Sequence, residues 1–173
     1  AWPGPVGPTG PSGRVQLFDS TLAVDTITID TGAAGIAGVS NGLDITVLAR
    51  SDEAAVSSTL TCLVNNDSAG NYDRQVVRGD NVTTSAVVGI AEAGWLIGIA
   101  GASCAAGVFS VLHFWIPCYT LTVAQKTGVL EHTRVDSTAA NRRAEVQGVH
   151  WRSTAAITRF SVSAPAGKLL LAG

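Results

Sequence analysis

Residue types that could do chemistry are present in this chain, but their spacing keeps them apart. Gly38-Val39-Ser40-Asn41-Gly42 has the GxSxG spacing of a hydrolase nucleophile elbow. That device needs a strand to enter a sharp turn and a helix to leave it, so that the serine hydroxyl stands beside oxyanion donors. Here Leu43 to Arg50 leaves as strand-type sequence, which predicts a hairpin-type turn and argues against a serine hydrolase. His113, His132 and His150 show no two at metal-ligand spacing, and His113, inside an apolar run, reads as a satisfied core residue. Asp52 and Glu53 are adjacent and therefore point to opposite sides, so they make no acid/base pair. Cys62, Cys104 and Cys118 are odd in number and lack CxxC spacing, which leaves zinc unsupported and predicts core thiols. We expect no catalytic set, no cofactor and no metal.

Three loop signals carry weaker chemistry. Asn65 to Asp73 is oxygen-rich like a calcium loop but lacks the spaced acidic ligands and the closing bidentate glutamate. Arg78-Gly79-Asp80 is the tripeptide that integrins read, set in turn-forming sequence. Asn66-Asp67-Ser68 and Asn81-Val82-Thr83 fit the N-glycosylation pattern, which has meaning only in a secretory setting. The candidates for a binding role are accordingly Asn66, Asp67, Asn71 and Asp80. Trp95, Trp115 and Trp151 could supply a sugar-stacking platform, but a buried indole is the default for strands of this character.

The elements that must position these residues are strands. With 173 residues, 46% apolar, 14% charged and a net charge of −2, the chain is one globular domain with few solvated helices. It has no Lys/Arg cluster to hold nucleic acid and no apolar run long enough to insert in a membrane. Alternating or β-branched runs predict strands at Leu22 to Ile29, Leu43 to Arg50, Val56 to Val64 and Tyr72 to Val77. Further strands are predicted at Ser85 to Ile90, Gly94 to Ile99, Val108 to Ile116, Tyr119 to Gln125, Ala144 to Trp151, Ile157 to Val162 and Lys168 to Leu171. The loop Asn65 to Asn71 predicts a hairpin between the third and fourth of these. Val108 to Ile116 is the most hydrophobic and is expected to be central, with a bulge or strand end at Pro117. About ten short strands predict an all-β fold, a two-sheet antiparallel sandwich of jelly-roll type.

The first thirteen residues differ in kind. Gly4, Gly7, Gly10 and Gly13 recur at every third place, and proline follows each of the first three. Only glycine fits the crowded axis where three polyproline-type chains wind together, so this register is a statement about three chains meeting. Residues 1–13 read as the end of a collagen-like stalk and residues 14–173 as the head it carries, which predicts a homotrimer. The sequence also reads as a processed chain or a fragment of a longer product, with its apolar end, Leu169 to Gly173, expected to pack in a trimer core or to follow a lost strand.

Together these pieces resemble β-domain proteins encoded by tailed bacteriophages. The resemblance rests on the Gly-Pro-x stalk, Leu17-Phe18-Asp19-Ser20-Thr21-Leu22, Ile29-Asp30-Thr31-Gly32 and Asp44-Ile45-Thr46-Val47-Leu48-Ala49-Arg50-Ser51-Asp52-Glu53. It continues in Asn65-Asn66-Asp67, Asn71-Tyr72-Asp73-Arg74-Gln75 and Trp151-Arg152-Ser153. It implies a virion surface protein, a tail-fibre, minor-tail or head-fibre component whose collagen-like segment leads into a trimeric jelly-roll-like head. Its partners would be other copies of itself, capsid or tail proteins, and host-surface carbohydrate. A soluble, collagen-stalked lectin-like or tumour-necrosis-factor-like head stays open as the alternative.

Overall fold

The computed structural model describes residues 20, 22–33, 35–36, 42–136 and 142–171. The four glycines of the stalk and residues 38–41 of the GxSxG stretch lie outside them. Ten strands and no helix occur among the described residues: β1 (Thr28–Asp30), β2 (Gly42–Ala49), β3 (Ser57–Val64), β4 (Tyr72–Asp80), β5 (Thr83–Glu92), β6 (Trp95–Ala100), β7 (Ser110–Pro117), β8 (Lys126–Arg134), β9 (Arg143–Trp151) and β10 (Phe160–Ser163). They form two antiparallel sheets packed as a sandwich, one in the order β1-β10-β3-β6 and one in the order β2-β7-β8-β9-β4-β5.

Period-two side-chain alternation builds the core. In β7, Ser110, Leu112, Phe114 and Ile116 are buried while Val111, Trp115 and Pro117 are exposed. From the other sheet, Leu60, Cys62 and Val64 of β3 and Trp95, Ile97 and Ile99 of β6 meet them, all nearly inaccessible. Aromatic rings stitch the layers by alternating between sheets. Tyr72 packs edge-on to Trp95 with centroids 5.3 Å apart, Trp95 lies 6.0 Å from Phe114, and Phe114 meets Phe160 edge-on at 5.2 Å. Such pairs add about 0.5–1.5 kcal/mol each beyond area burial.

Several expectations need correction. β3 and β4 do not form a hairpin, because they belong to different sheets. Asn65 and Asn66 both take positive φ, 51° and 57°, and Asp67 N–H donates to Val64 O at 3.0 Å, a tight turn of the kind that usually reverses a strand. The chain is instead carried across the end of the sandwich. Asn65 Oδ1 accepts from Thr158 N and Arg159 N, Asn65 Nδ2 donates to Ala156 O, and Asp67 holds Trp151.

Tyr119 to Gln125 is no strand. Cys118 has φ 53° just after Pro117, and the buried Lys126 ammonium gathers the connection by donating to Leu121 O, Ala124 O and Thr154 O at 2.6, 2.7 and 3.1 Å. Lys126 opens a strand, β8, that the sequence reading lacks. Leu22 to Ile29 contributes only β1 and a Thr26–Leu170 bridge, and Lys168 to Leu171 contributes only the bridges of Leu170 to Thr26 and Ser51. Ile157 is buried but precedes β10. Arg78-Gly79-Asp80 lies within β4, flanked by β5 and β9, rather than in a turn. β7 is an inner strand of its sheet and ends at Pro117.

Candidate interaction face

Among the described residues no group of three or more His, Cys, Asp or Glu could hold a metal ion. The four loop candidates occupy two places. Asp67, Asn71 and the exposed Asn66 sit in the β3–β4 connection. Asp67 Oδ2 accepts from Trp151 Nε1 at 2.7 Å and from Asn71 Nδ2 at 2.9 Å, while Oδ1 accepts from Ala69 N at 3.0 Å. Burial pushes this carboxyl up, and these hydrogen bonds outweigh it and hold it below its ordinary value. Asp80 lies at the far end of β4, where its carboxylate is 2.7 Å from Arg143 Nε and 3.1 Å from Arg78 Nε. Both carboxylates are engaged by side chains of the fold.

The histidines are distributed differently from expectation. His113 is on the outer side of β7, its side chain 39% exposed, with Nε2 2.9 Å from Asp44 Oδ1 and Nδ1 3.8 Å from Glu131 Oε2. The buried histidine is His132, whose Nδ1 lies 3.4 Å from Glu145 Oε1 inside the sandwich. His150 bridges Asp73 at 3.0 Å and Gln125 at 2.8 Å. Arg152 holds Asp73 far below the usual carboxylate range, which makes that carboxylate an anchor rather than a proton acceptor. Cys62 is buried and its thiol is pushed up by desolvation. Cys104 is buried too, but Cys118 is exposed at the end of β7, contrary to the expectation of three core thiols.

No family model matches the chain, and neither a curated protein nor a solved structure matches it at a significant level. The molecule's own surface is therefore the guide.

The outer face of the six-stranded sheet is the part of that surface with an unusual composition. Reading the register across it gives Thr46, His113, Glu131, Val146, Val77 and Ala86 in one row and Asp44, Trp115, Val129, Gly148, Gln75 and Val88 in the next. Leu48, Val77, Val88, Ile90, Val111, Trp115, Val129 and Val146 are between 41% and 68% exposed on it. Their exposed surface comes to roughly 800 Å2 over the whole face, interrupted by Thr46, His113, Glu131 and Gln75.

The face has two halves. The β8-β9-β4-β5 half carries Val129 together with Val77 and Val146, which line a shallow hollow of about 340 Å3, and Val88 and Ile90, which line one of about 350 Å3. One hollow lies over Gly79 and the other over Gly148, where an added Cβ would meet nothing within 4 Å. Its edge strand β5 has no Lys, Arg or Pro, and its protection is confined to the end at Glu92, where a bulge at Ala91 breaks the register with β4. The β2-β7 half carries Trp115 with Asp44 and His113, and Glu131 of β8 borders it. Trp115 is 45% exposed while Trp95 and Trp151 are buried, so the buried default holds for two of the three indoles. A signal for this face stood in the sequence: the doublets Val76-Val77 and Val87-Val88 break polar/apolar alternation, as strands covered on both faces do.

Proposed function

We propose that this chain is a non-enzymatic, homotrimeric structural head of a tailed-phage virion, of jelly-roll type, set on a collagen-like stalk at the particle surface and able to adhere to host-surface glycans. The β8-β9-β4-β5 half of the outer face meets other copies of the chain about the trimer axis. The observation that carries this reading is the run of five exposed aliphatic side chains on that half, roughly 500 Å2 in all, at the upper end of what the largest apolar patch of a typical monomer presents and of the size that marks interaction sites. The period-three glycines of residues 1–13 support the same stoichiometry from the other end of the chain. Three copies would also multiply a feeble sugar contact into useful adhesion.

The test is the solution mass of the full chain at micromolar concentration. A species three times 17.7 kDa is expected, and a stable monomer overturns the trimer. An antibody to the purified protein is expected to label intact particles at their surface, and particles that carry the chain without surface label overturn the virion placement.

A further inference from the structure

The β2-β7 half of the outer face has a different chemistry from the half assigned to the trimer. Trp115 projects outward from β7, and its benzo ring fills the space above Gly42 of the edge strand. A Cβ built on Gly42 would fall 2.1 Å from Cη2, 2.6 Å from Cζ3 and 2.7 Å from Cζ2. Glycine at that position lets the ring rest against backbone, so one ring face is supported and the indole stays 45% exposed.

Polar groups border the ring on one side. Asp44 is the cross-strand partner of Trp115. Its Oδ1 is 2.9 Å from His113 Nε2, and His113 Nδ1 is 3.8 Å from Glu131 Oε2, whose side chain is 65% exposed. Val129 flanks the ring across β8. A supported, exposed ring beside carboxylate and imidazole groups suits a ligand that is apolar on one face and rich in hydroxyls at its rim. The ring stacks on the C–H face, and the carboxylates accept from hydroxyls. Two carboxylates against one histidine make the site repel anions.

We propose that Trp115, with Asp44, His113 and Glu131, is a platform for a neutral hexopyranose unit of a host-surface glycan. The inference rests on and deepens the adhesive side of the proposed function; its core, Trp115, Asp44 and His113, lies on β2 and β7, while Glu131 and Val129 stand on β8 at the border with the half assigned to the trimer.

The experiment is a titration of the 15N-labelled full chain with methyl β-galactopyranoside, methyl β-glucopyranoside and methyl α-mannopyranoside through the millimolar range, followed at the indole Nε1–H signals. Methyl glucuronide serves as the anionic comparison. A saturable shift of the Trp115 signal by at least one neutral glycoside is expected, with Trp95 and Trp151 unmoved and the glucuronide about tenfold weaker. Trp115→Ala should abolish binding and Asp44→Asn should weaken it about threefold to tenfold, a loss the size of one or two hydrogen bonds, both with unchanged amide spectra. Gly42→Ala should weaken it too, by tilting the ring. Absence of a saturable shift with all three neutral glycosides, binding that survives in Trp115→Ala, or equal binding of the glucuronide would each overturn the platform. Solution mass, measured on the same samples, reads the trimer separately: a sugar-binding monomer would sink the assembly and leave the platform standing.

Discussion

Replacing Val77 by glutamate separates assembly from folding. Val77 lies mid-strand in β4 with its side chain 61% exposed, facing out between Val146 and Ala86. If another copy covers it, about 100 Å2 of apolar surface leaves water in each subunit, worth about 2.5 kcal/mol at ~25 cal/mol per Å2. A carboxylate there forfeits that amount and adds a desolvation penalty of several kcal/mol. The combined loss of about 5 kcal/mol weakens association between a thousand- and ten-thousand-fold at each interface. The subunit itself should scarcely notice, since an exposed strand position changes stability by less than about 1 kcal/mol on such a substitution. Val123→Glu is the control, because Val123 is 85% exposed in the β7–β8 connection, off the proposed interface. Light-scattering mass and urea midpoints over a concentration series are the assay. The wild type and Val123→Glu should run as trimers with concentration-dependent midpoints, and Val77→Glu as a monomer whose midpoint does not depend on concentration. A trimer that survives Val77→Glu unchanged, or falls apart equally in the control, refutes the assignment of this face.

Three further outcomes follow from the interior. Asp67→Ala removes three acceptor contacts and strands the buried Trp151 N–H, so a loss of about 2–4 kcal/mol is expected in urea unfolding; a change under about 0.5 kcal/mol would show that the connection does not depend on this carboxylate. Lys126→Met leaves Leu121 O, Ala124 O and Thr154 O without their shared donor, and hydrogen exchange should quicken through residues 119–125 and 152–156 while the β3 and β6 amides stay protected. Acid should destabilise the fold with a definite sign. Asp67 is held low by Trp151 and Asn71 against burial, and Glu145, despite burial, by His132 and Gln147. Their contribution is complete above the unfolded carboxyl range of about 4 and disappears as pH falls through the lowered folded values. Stability that is flat from pH 5 down to pH 2 would contradict this.

The sequence exposed the strands whose alternation serves an apolar interior, and missed those that serve something else. β2, β3, β7 and β9 are visible because β-branched or large apolar residues recur at every second place toward one core, as in Leu112, Phe114 and Ile116. β8 is invisible by the same criterion, since its inward positions include Lys126, His132 and Arg134. Lys126 sits inward because three carbonyl oxygens surround its ammonium, which only the tertiary fold can supply. The false hairpin at Asn65-Asn66 has the same origin: the turn is real, but its exit is set by hydrogen bonds from Asn65 to residues some 90 positions later. Of the candidate site, the stacking role of an exposed indole was legible as a possibility, but which tryptophan stays exposed depends on Gly42 lying diagonally beneath Trp115. That relation needs the β2–β7 register.

β8 and β9 supply the strongest physical argument about the outer face. Over the half of these strands nearer Arg134, the inward side chains include His132, Arg134, Glu145 and Gln147, all buried, and the outward ones include Val129 and Val146, both exposed. A one-residue slip would exchange the two faces and send the polar groups to water and the valines to the core. A sheet with one face in solvent gains from that exchange, because it returns to water the two ring nitrogens of His132 and Gln147 Oε1, which are buried without a hydrogen-bond partner. The observed register keeps Leu130 and Val149 in the core, so those two large side chains weigh against the slip. The register is better satisfied still if the outer face is also withdrawn from water, since then neither set of residues gains solvent by moving. On the proposed assembly, the valine-lined face and the polar interior behind it answer one demand, that this sheet be covered on both faces. A second copy of the chain meets that requirement without asking the interior to change.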